Sequence, residues 1–135
     1  MKLIDTNVFI YAAGRPHLYK EPCLNILARI ATGEQGYAID AELLQEILHS
    51  YALRRVRDVG VSVFDRTLAL FPSPLPVTVE ELRAARNLMQ RYSDLYARDA
   101  IHAAFVLVHS FEGLVSADQI FDKMSELKRF DPQEL

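Results

Sequence analysis

Along this chain, short apolar runs of strand length alternate with longer segments whose apolar residues recur at helical spacing. The first run, Leu3 and Ile4, ends in Asp5-Thr6-Asn7 and is followed at once by Val8, Phe9, Ile10 and Tyr11. This pattern predicts a strand that delivers a carboxylate into a strand-to-helix turn, the place where parallel sheets bind ligands. A loop at Gly14–His17 precedes a helix with Pro22 in its first turn, running to about Ala31 with Cys23, Leu27 and Ile30 at helical spacing. Tyr37–Asp40 reads as a second strand. Asp40 then caps a helix from Ala41 to about Arg55, with Leu44, Ile47, Leu48 and Tyr51 on one face and Glu46 on its flank.

Asp58–Leu70 carries a further helical pattern, weakened by Gly60 and by β-branched Val59, Val61 and Val63. The prolines after Phe71 stop it and lead into a third strand around Leu75–Val77. Thr78 caps a helix to about Tyr92. Arg98–Val108 is apolar on nearly every side, which marks a buried helix, and Leu114–Ser116 is a short buried strand. Leu127–Phe130 is an edge strand before Asp131 and Pro132. Alternating strands and helices predict an α/β domain of three layers with a mainly parallel central sheet of four to five strands flanked by helices. Residues 1–135 contain no repeat or linker that would divide them, so one domain is expected.

Composition narrows the setting. The chain has 50% hydrophobic and 24% charged residues, a globular balance. Its formal charge of -3 excludes a general basic field for nucleic acid, although Arg54, Arg55 and Arg57 form a local patch that can meet phosphates. The single cysteine forms no internal disulfide, and no stretch reaches about eighteen consecutive apolar residues. A soluble, cytoplasmic protein without a membrane anchor is expected.

The candidate chemistry lies in the acids. Asp5 and Asp118 follow predicted strands, and Glu46 and Asp99 lie on helices that begin at the same sheet edge. Each has a bland alternative: Asp5 and Asp118 as caps, Asp99 as a first-turn acid favoured by the helix dipole, Glu46 as a solvated helix residue. Together they would converge on one crevice. At about 5 Å and an effective dielectric near 20, each pair of charges repels by roughly 3 kcal/mol, so the set calls for a divalent cation. Hard oxygen ligands without cysteine point to Mg²⁺ or Mn²⁺, the ions suited to in-line attack of water on a phosphodiester. Thr6, Asn7 and Ser116 would support the site by orienting waters around the ion, with Asp122 as an outer ligand one turn after Asp118. Asp40 is a rival acid that also caps a helix well. His102, three residues after Asp99 among alanines and Phe105, is expected to be a hydrogen-bonded core residue.

These segments are familiar as an ordered set: Ile4-Asp5-Thr6-Asn7-Val8-Phe9-Ile10, Leu44-Gln45-Glu46-Ile47, Arg98-Asp99-Ala100-Ile101-His102-Ala103-Ala104 and Val115-Ser116-Ala117-Asp118-Gln119-Ile120-Phe121. With them the chain resembles the PIN-domain ribonucleases, most closely the VapC toxins of toxin–antitoxin pairs. The resemblance implies a PIN-like fold and a metal-dependent endoribonuclease whose acids correspond to Asp5, Glu46, Asp99 and Asp118. It also implies a homodimer, an RNA substrate and a cognate antitoxin whose tail blocks the acidic cleft. The segment after Phe121 departs from the pattern by lacking the glycine that many relatives carry before the last strand.

Two other functions fit less well. A phosphatase with an aspartate nucleophile would want a second acid two residues after Asp5, where Asn7 stands. A non-cutting PIN-like scaffold for RNA or protein would lack one or more of the four acids, and all four are present.

Overall fold

The computed structural model describes residues 1–135. Strand β1 (Lys2–Ile4) lies inside a four-stranded parallel sheet, with β2 (Tyr37–Ala38) on one side and β3 (Gly113–Val115) on the other. Strand β4 (Arg129–Phe130) pairs with β3 and forms the far edge. Leu3 lies opposite Leu114, and Ile4 opposite Val115. Because side chains alternate across a strand, Leu3 and Leu114 face one layer while Ile4 and Val115 face the other. The buried residues divide accordingly into two cores, one on each face.

On the Leu3 face pack α5 (Val79–Arg91) and α6 (Ala97–Val108). All residues of α6 from Ala100 to Val106 are buried, as its apolar surround predicts. The Ile4 face carries α1 (Thr6–Ala13), α2 (Lys20–Ala31), α3 (Ala41–Leu53) and α4 (Arg57–Leu70). The result is the expected three-layer α/β arrangement, at the lower end of the expected strand number. No helix is long and apolar enough to cross a membrane.

Helix starts follow the side chains that satisfy free backbone donors. The Asp40 carboxylate accepts from the Leu43 N–H at 2.9 Å. Thr78 opens α5 with a capping box, in which Glu81 reaches back to accept from the Thr78 N–H at 2.8 Å. Glu81 is buried and also meets His109 Nε2 at 2.9 Å, which ties the start of α5 to the end of α6. Gly60 does not break α4. A β-carbon there would stand 2.7 Å from Cβ of Tyr51, so glycine is what lets α4 close on α3.

The expected strand at Leu75–Val77 does not form. Leu75 alone joins the sheet, through one parallel bridge to Asp40. Its N–H donates to Ile39 and its carbonyl accepts from Ala41. Pro74 and Pro76 have no N–H to extend the ladder in either direction. The last strand is likewise shorter than the expected Leu127–Phe130, covering Arg129–Phe130 only. At Gly113 the Lys128 carbonyl approaches to 2.2 Å from where a β-carbon would stand, so this position excludes any larger residue.

Candidate metal and nuclease site

Parallel pairing gives all four strands one carboxyl edge, and Asp5 and Ser116 follow β1 and β3 there. The register that sets Ile4 beside Val115 also sets Asp5 beside Ser116. The Ser116 hydroxyl donates to Asp5 Oδ2 at 2.5 Å, and Asn7 Nδ2 donates to the same oxygen at 2.7 Å. Ser116 Oγ in turn accepts from Asn7 Nδ2 at 2.9 Å and from the Asp118 N–H at 3.0 Å. One donor and two acceptor sites are all a hydroxyl has, so Ser116 is fully used. Asn7 Oδ1 accepts from the Ala117 N–H. Asp5 occupies the N-cap position of α1, yet its side chain makes no capping bond. Its Oδ2 is held from one side, and Oδ1 faces the interior of the cluster.

Glu46 enters from α3 and His102 from α6. Ligand atoms of Asp5, Glu46 and His102 all lie within 4.8 Å of one another. His102 is completely buried, with Nε2 at 3.1 Å from Glu46 Oε1, 3.4 Å from Thr6 Oγ1 and 3.8 Å from Asp5 Oδ1. Its Nδ1 meets Asp40 Oδ2 at 2.6 Å. Asp40 therefore does two things, capping α3 with one oxygen and holding the imidazole with the other. Burial alone would push the His102 pKa down. The Asp40 charge and the bonds to Asp40 and Glu46 outweigh it and hold the imidazole well above its ordinary value.

Asp99 lies in the first turn of α6, and its pKa reports how crowded the crevice is. Burial first, then the charges of Asp5, Asp118 and Glu46, push it up to about 6. Asp5 is also raised to about 6, mainly by burial, against the opposing pull of His102 and the Ser116 hydrogen bond. Glu46 goes the other way: burial raises it, but contact with His102 more than compensates and leaves it below the ordinary range. Asp118 is exposed and caps the following turn through the Ile120 N–H at 2.9 Å, so its cap role coexists with proximity to Asp99.

Asp122 does not join this group. Arg129 binds both of its oxygens, at 2.9 and 3.0 Å, and also donates to the Ser116 carbonyl and to Asp131. The expected outer ligand is instead half of a clamp on the β3–β4 edge, because a nearby guanidinium matches a carboxylate in two-point geometry.

The PIN domain family model matches residues 2–127 of this chain. The chain belongs to the PIN domain family. This PIN domain is 33% identical over 129 residues to Ribonuclease VapC13 of Mycobacterium tuberculosis, covering 96% of the chain and 98% of that relative. Two solved structures share the fold. FitAcB from Neisseria gonorrhoeae superposes with a TM-score of 0.73 at 22% identity over the whole of both chains. VapBC2 from Rickettsia felis, bound to a DNA fragment from its promoter, gives 0.72 at 17% identity over 96% of this chain and 98% of the other.

Within this PIN domain the electrostatic floor of the site is the part the sequence did not assign. Asp40 caps α3 and His102 is a hydrogen-bonded core residue, as expected, and the pair also sets a buried positive group against Glu46 and Asp5, to which Arg98 adds a smaller pull on Glu46. One signal was available: His102 follows Asp99 by three residues, which places both on neighbouring positions of one helix face.

Proposed function

We propose that this chain is a metal-dependent endoribonuclease and the toxin of a toxin–antitoxin pair. What supports the proposal is the approach of Asp5, Glu46 and His102 to within 4.8 Å of one another at the carboxyl edge, with Asp99 raised to about 6 by burial and by the charges of Asp5, Asp118 and Glu46. A cluster of this kind fits a divalent cation, because such an ion reverses the repulsion and keeps the carboxylates ionised. Asp5, Glu46, Asp99 and Asp118 would hold it, and their hard oxygen donors favour Mg²⁺ or Mn²⁺. When bound, the ion supplies Lewis acidity and charge neutralisation for hydrolysis of a phosphodiester.

The protein's own groups do the positioning. Ser116 and Asn7 fix one oxygen of Asp5 and leave the other facing the cluster. His102 fixes Glu46 and keeps it ionised at neutral pH. Thr6 stands between helix and imidazole, at 3.4 Å from Nε2. The relative named above is a ribonuclease, and solved structures of this fold include a toxin–antitoxin complex from Klebsiella pneumoniae and VapBC2 bound to a DNA fragment from its promoter. By that likeness the substrate is RNA in the cytoplasm, the chain pairs with itself, and a cognate antitoxin silences it. An apolar groove between α1, α2 and α4, lined by Phe9, Leu24, Leu27, Val63 and Leu70, is a surface suited to being covered by a protein partner.

The test is cleavage of a mixed pool of structured RNAs by the antitoxin-free protein, with Mg²⁺ or Mn²⁺ and with chelator, beside Asp99→Asn. Discrete products that require metal and vanish in the variant are expected. A folded protein that binds metal and yields no products would overturn the nuclease assignment in favour of a non-cutting scaffold.

A further inference from the structure

Two helices, α1 and α3, lead away from the acid cluster. On α1, Asn7, Ile10 and Tyr11 share a half-buried face that leads to Gly14 at its end, and on α3 the face of Glu46 continues through Ser50 towards exposed Arg54 just past its end. The helices pack on each other through a shared core that includes Val8, Leu44, Ile47 and Tyr51. Where both faces end, Tyr11, His17, Arg15, Tyr51 and Arg54 line a hollow of about 370 Å³. Along the helix axes it lies about 9 Å from Asp5 and about 12 Å from Glu46.

The hollow has a rigid aromatic wall. The rings of Tyr11 and His17 stack with centroids 4.6 Å apart, and Tyr19 lies 5.5 Å from Tyr11. The Tyr19 N–H donates to His17 Nδ1, and the Tyr19 hydroxyl donates to Asp131 at 2.9 Å. Lys20 braces the loop by donating to the Gly14 carbonyl. His17 is nonetheless exposed, so an aromatic face is presented to solvent by a loop already locked.

The hollow also has uncommitted charge. Arg29, Arg91, Arg98 and Arg129 all form ion pairs, whereas Arg15 and Arg54 of the hollow form none and are exposed, as do neighbouring Arg55 and Arg57 and, elsewhere on the surface, Arg66, Arg83 and Arg86. Arg54 rests over the ring of Tyr51, 5.5 Å from its centroid. Arg55 has φ 60, a left-handed turn between α3 and α4 that separates the directions of neighbouring arginines. In a chain of net charge -3, the cut strand must be held against the repulsion of the acids, and these cations are placed to do it. A stacking face joined to free guanidinium groups is what single-stranded nucleic acid needs; an acidic protein segment would use the cations but not the rings.

We propose that Tyr11, His17, Arg15 and Arg54 form a nucleotide subsite that seats one unpaired base and its phosphate. Measured along the helix axes, this base lies about 9–12 Å from the acid cluster. The proposal rests on the ribonuclease assignment and names where its substrate strand runs.

The test is fluorescence anisotropy of 5′-labelled single-stranded RNAs about a dozen nucleotides long and of mixed sequence, with the Asp99→Asn protein as the non-cutting binder. Tyr11→Leu should weaken binding about fivefold or more, the loss of one stacked base. The double change Arg15→Ser with Arg54→Ser should lower the slope of log affinity against log salt by about 1.4, the release from two phosphate contacts on a single strand. With Asp99 intact, both variants should raise KM far more than they lower kcat. The arginines are exposed, so that variant tests the proposal even if Tyr11→Leu unfolds. Unchanged affinity and salt slope in a protein that still cleaves RNA would overturn the subsite alone, as would variants that lose only antitoxin binding. A parent protein that neither binds nor cleaves RNA would overturn the ribonuclease assignment and the subsite with it.

Discussion

Replacing Asp99 by Asn should make the metal-free protein more stable while abolishing cleavage. Asp99 makes no hydrogen bond that asparagine would forfeit, so the substitution removes a charge and little else. Its pKa rises from 3.8 to about 6 in the folded protein, first through burial and then through Asp5, Asp118 and Glu46. At 1.36 kcal/mol per unit this corresponds to up to about 3 kcal/mol at pH 7, which solvent screening of a partly exposed group reduces to about 1–2 kcal/mol. The sign follows from linkage. The folded state holds the proton more tightly, so this contribution to stability is complete below the unfolded value of 3.8 and is lost as pH rises through about 6. For a chain of this length each kcal/mol moves the melting midpoint by about 3–4 °C, giving an expected gain of about 3–8 °C for Asp99→Asn in chelator at pH 7. Thermal unfolding at pH 4 to 7.5, with EDTA or with saturating Mn²⁺, measures it. The gain should vanish towards pH 4, and Mn²⁺ should narrow or invert it, because only the parent protein gains fully from binding the ion. A variant less stable than the parent at pH 7 in EDTA, or a difference that ignores pH, would refute the crowded-acid account.

Three further outcomes follow from other contacts. Ser116→Ala removes a donor to Asp5 Oδ2 and should weaken Mn²⁺ affinity about 10–100-fold, measured by isothermal titration, with cleavage partly restored by excess metal. His102→Ala leaves the fully buried Asp40 without its partner and should destabilise the fold by about 3–5 kcal/mol in urea unfolding; adding Asp40→Asn should recover part of that loss. Thr78→Ala opens the α5 capping box, costing about 0.5–2 kcal/mol by the same assay with cleavage unchanged. The partner of that box, Glu81, is held down to about 2, with burial opposed by bonds to Thr78 and His109, so its contribution should be lost as pH falls from 4.5 through about 2.

The sheet and its flanking helices were legible because they depend on local pattern. Leu3-Ile4 and Leu114-Val115 read as short buried strands, and the apolar surround of Ala100–Val106 read as a buried helix. What failed was a strand judged by its apolar residues without subtracting donors: Leu75 stands between two prolines and makes one bridge. Partnerships were less legible than positions. Asp5 and Ser116 could each be placed at a strand end, but only the β1–β3 register makes them neighbours. Asp40 and His102 stand 62 residues apart, and nothing local to either announces the bond. Asp122 had the right spacing from Asp118, and Arg129, arriving on β4, took its carboxylate.

The order of the pKa shifts follows distance from the one internal cation. Glu46, at 3.1 Å from His102 Nε2, is lowered. Asp5, at 3.8 Å, is raised because burial exceeds what the imidazole returns, and Asp99, for which His102 is the smallest contributor, is raised as well. The Asp40–His102 pair therefore neutralises the deep end of the crevice and leaves the outer end, towards Asp99 and exposed Asp118, in electrostatic deficit. A buried imidazole cannot move outward to correct this, since Asp40 holds it from behind. The deficit is relieved by protonation of Asp5 and Asp99 at low pH and, on the proposed function, by a cation arriving from solvent. The paired floor lets the empty site stay folded, and on the proposed function the unpaired mouth is what draws the ion in.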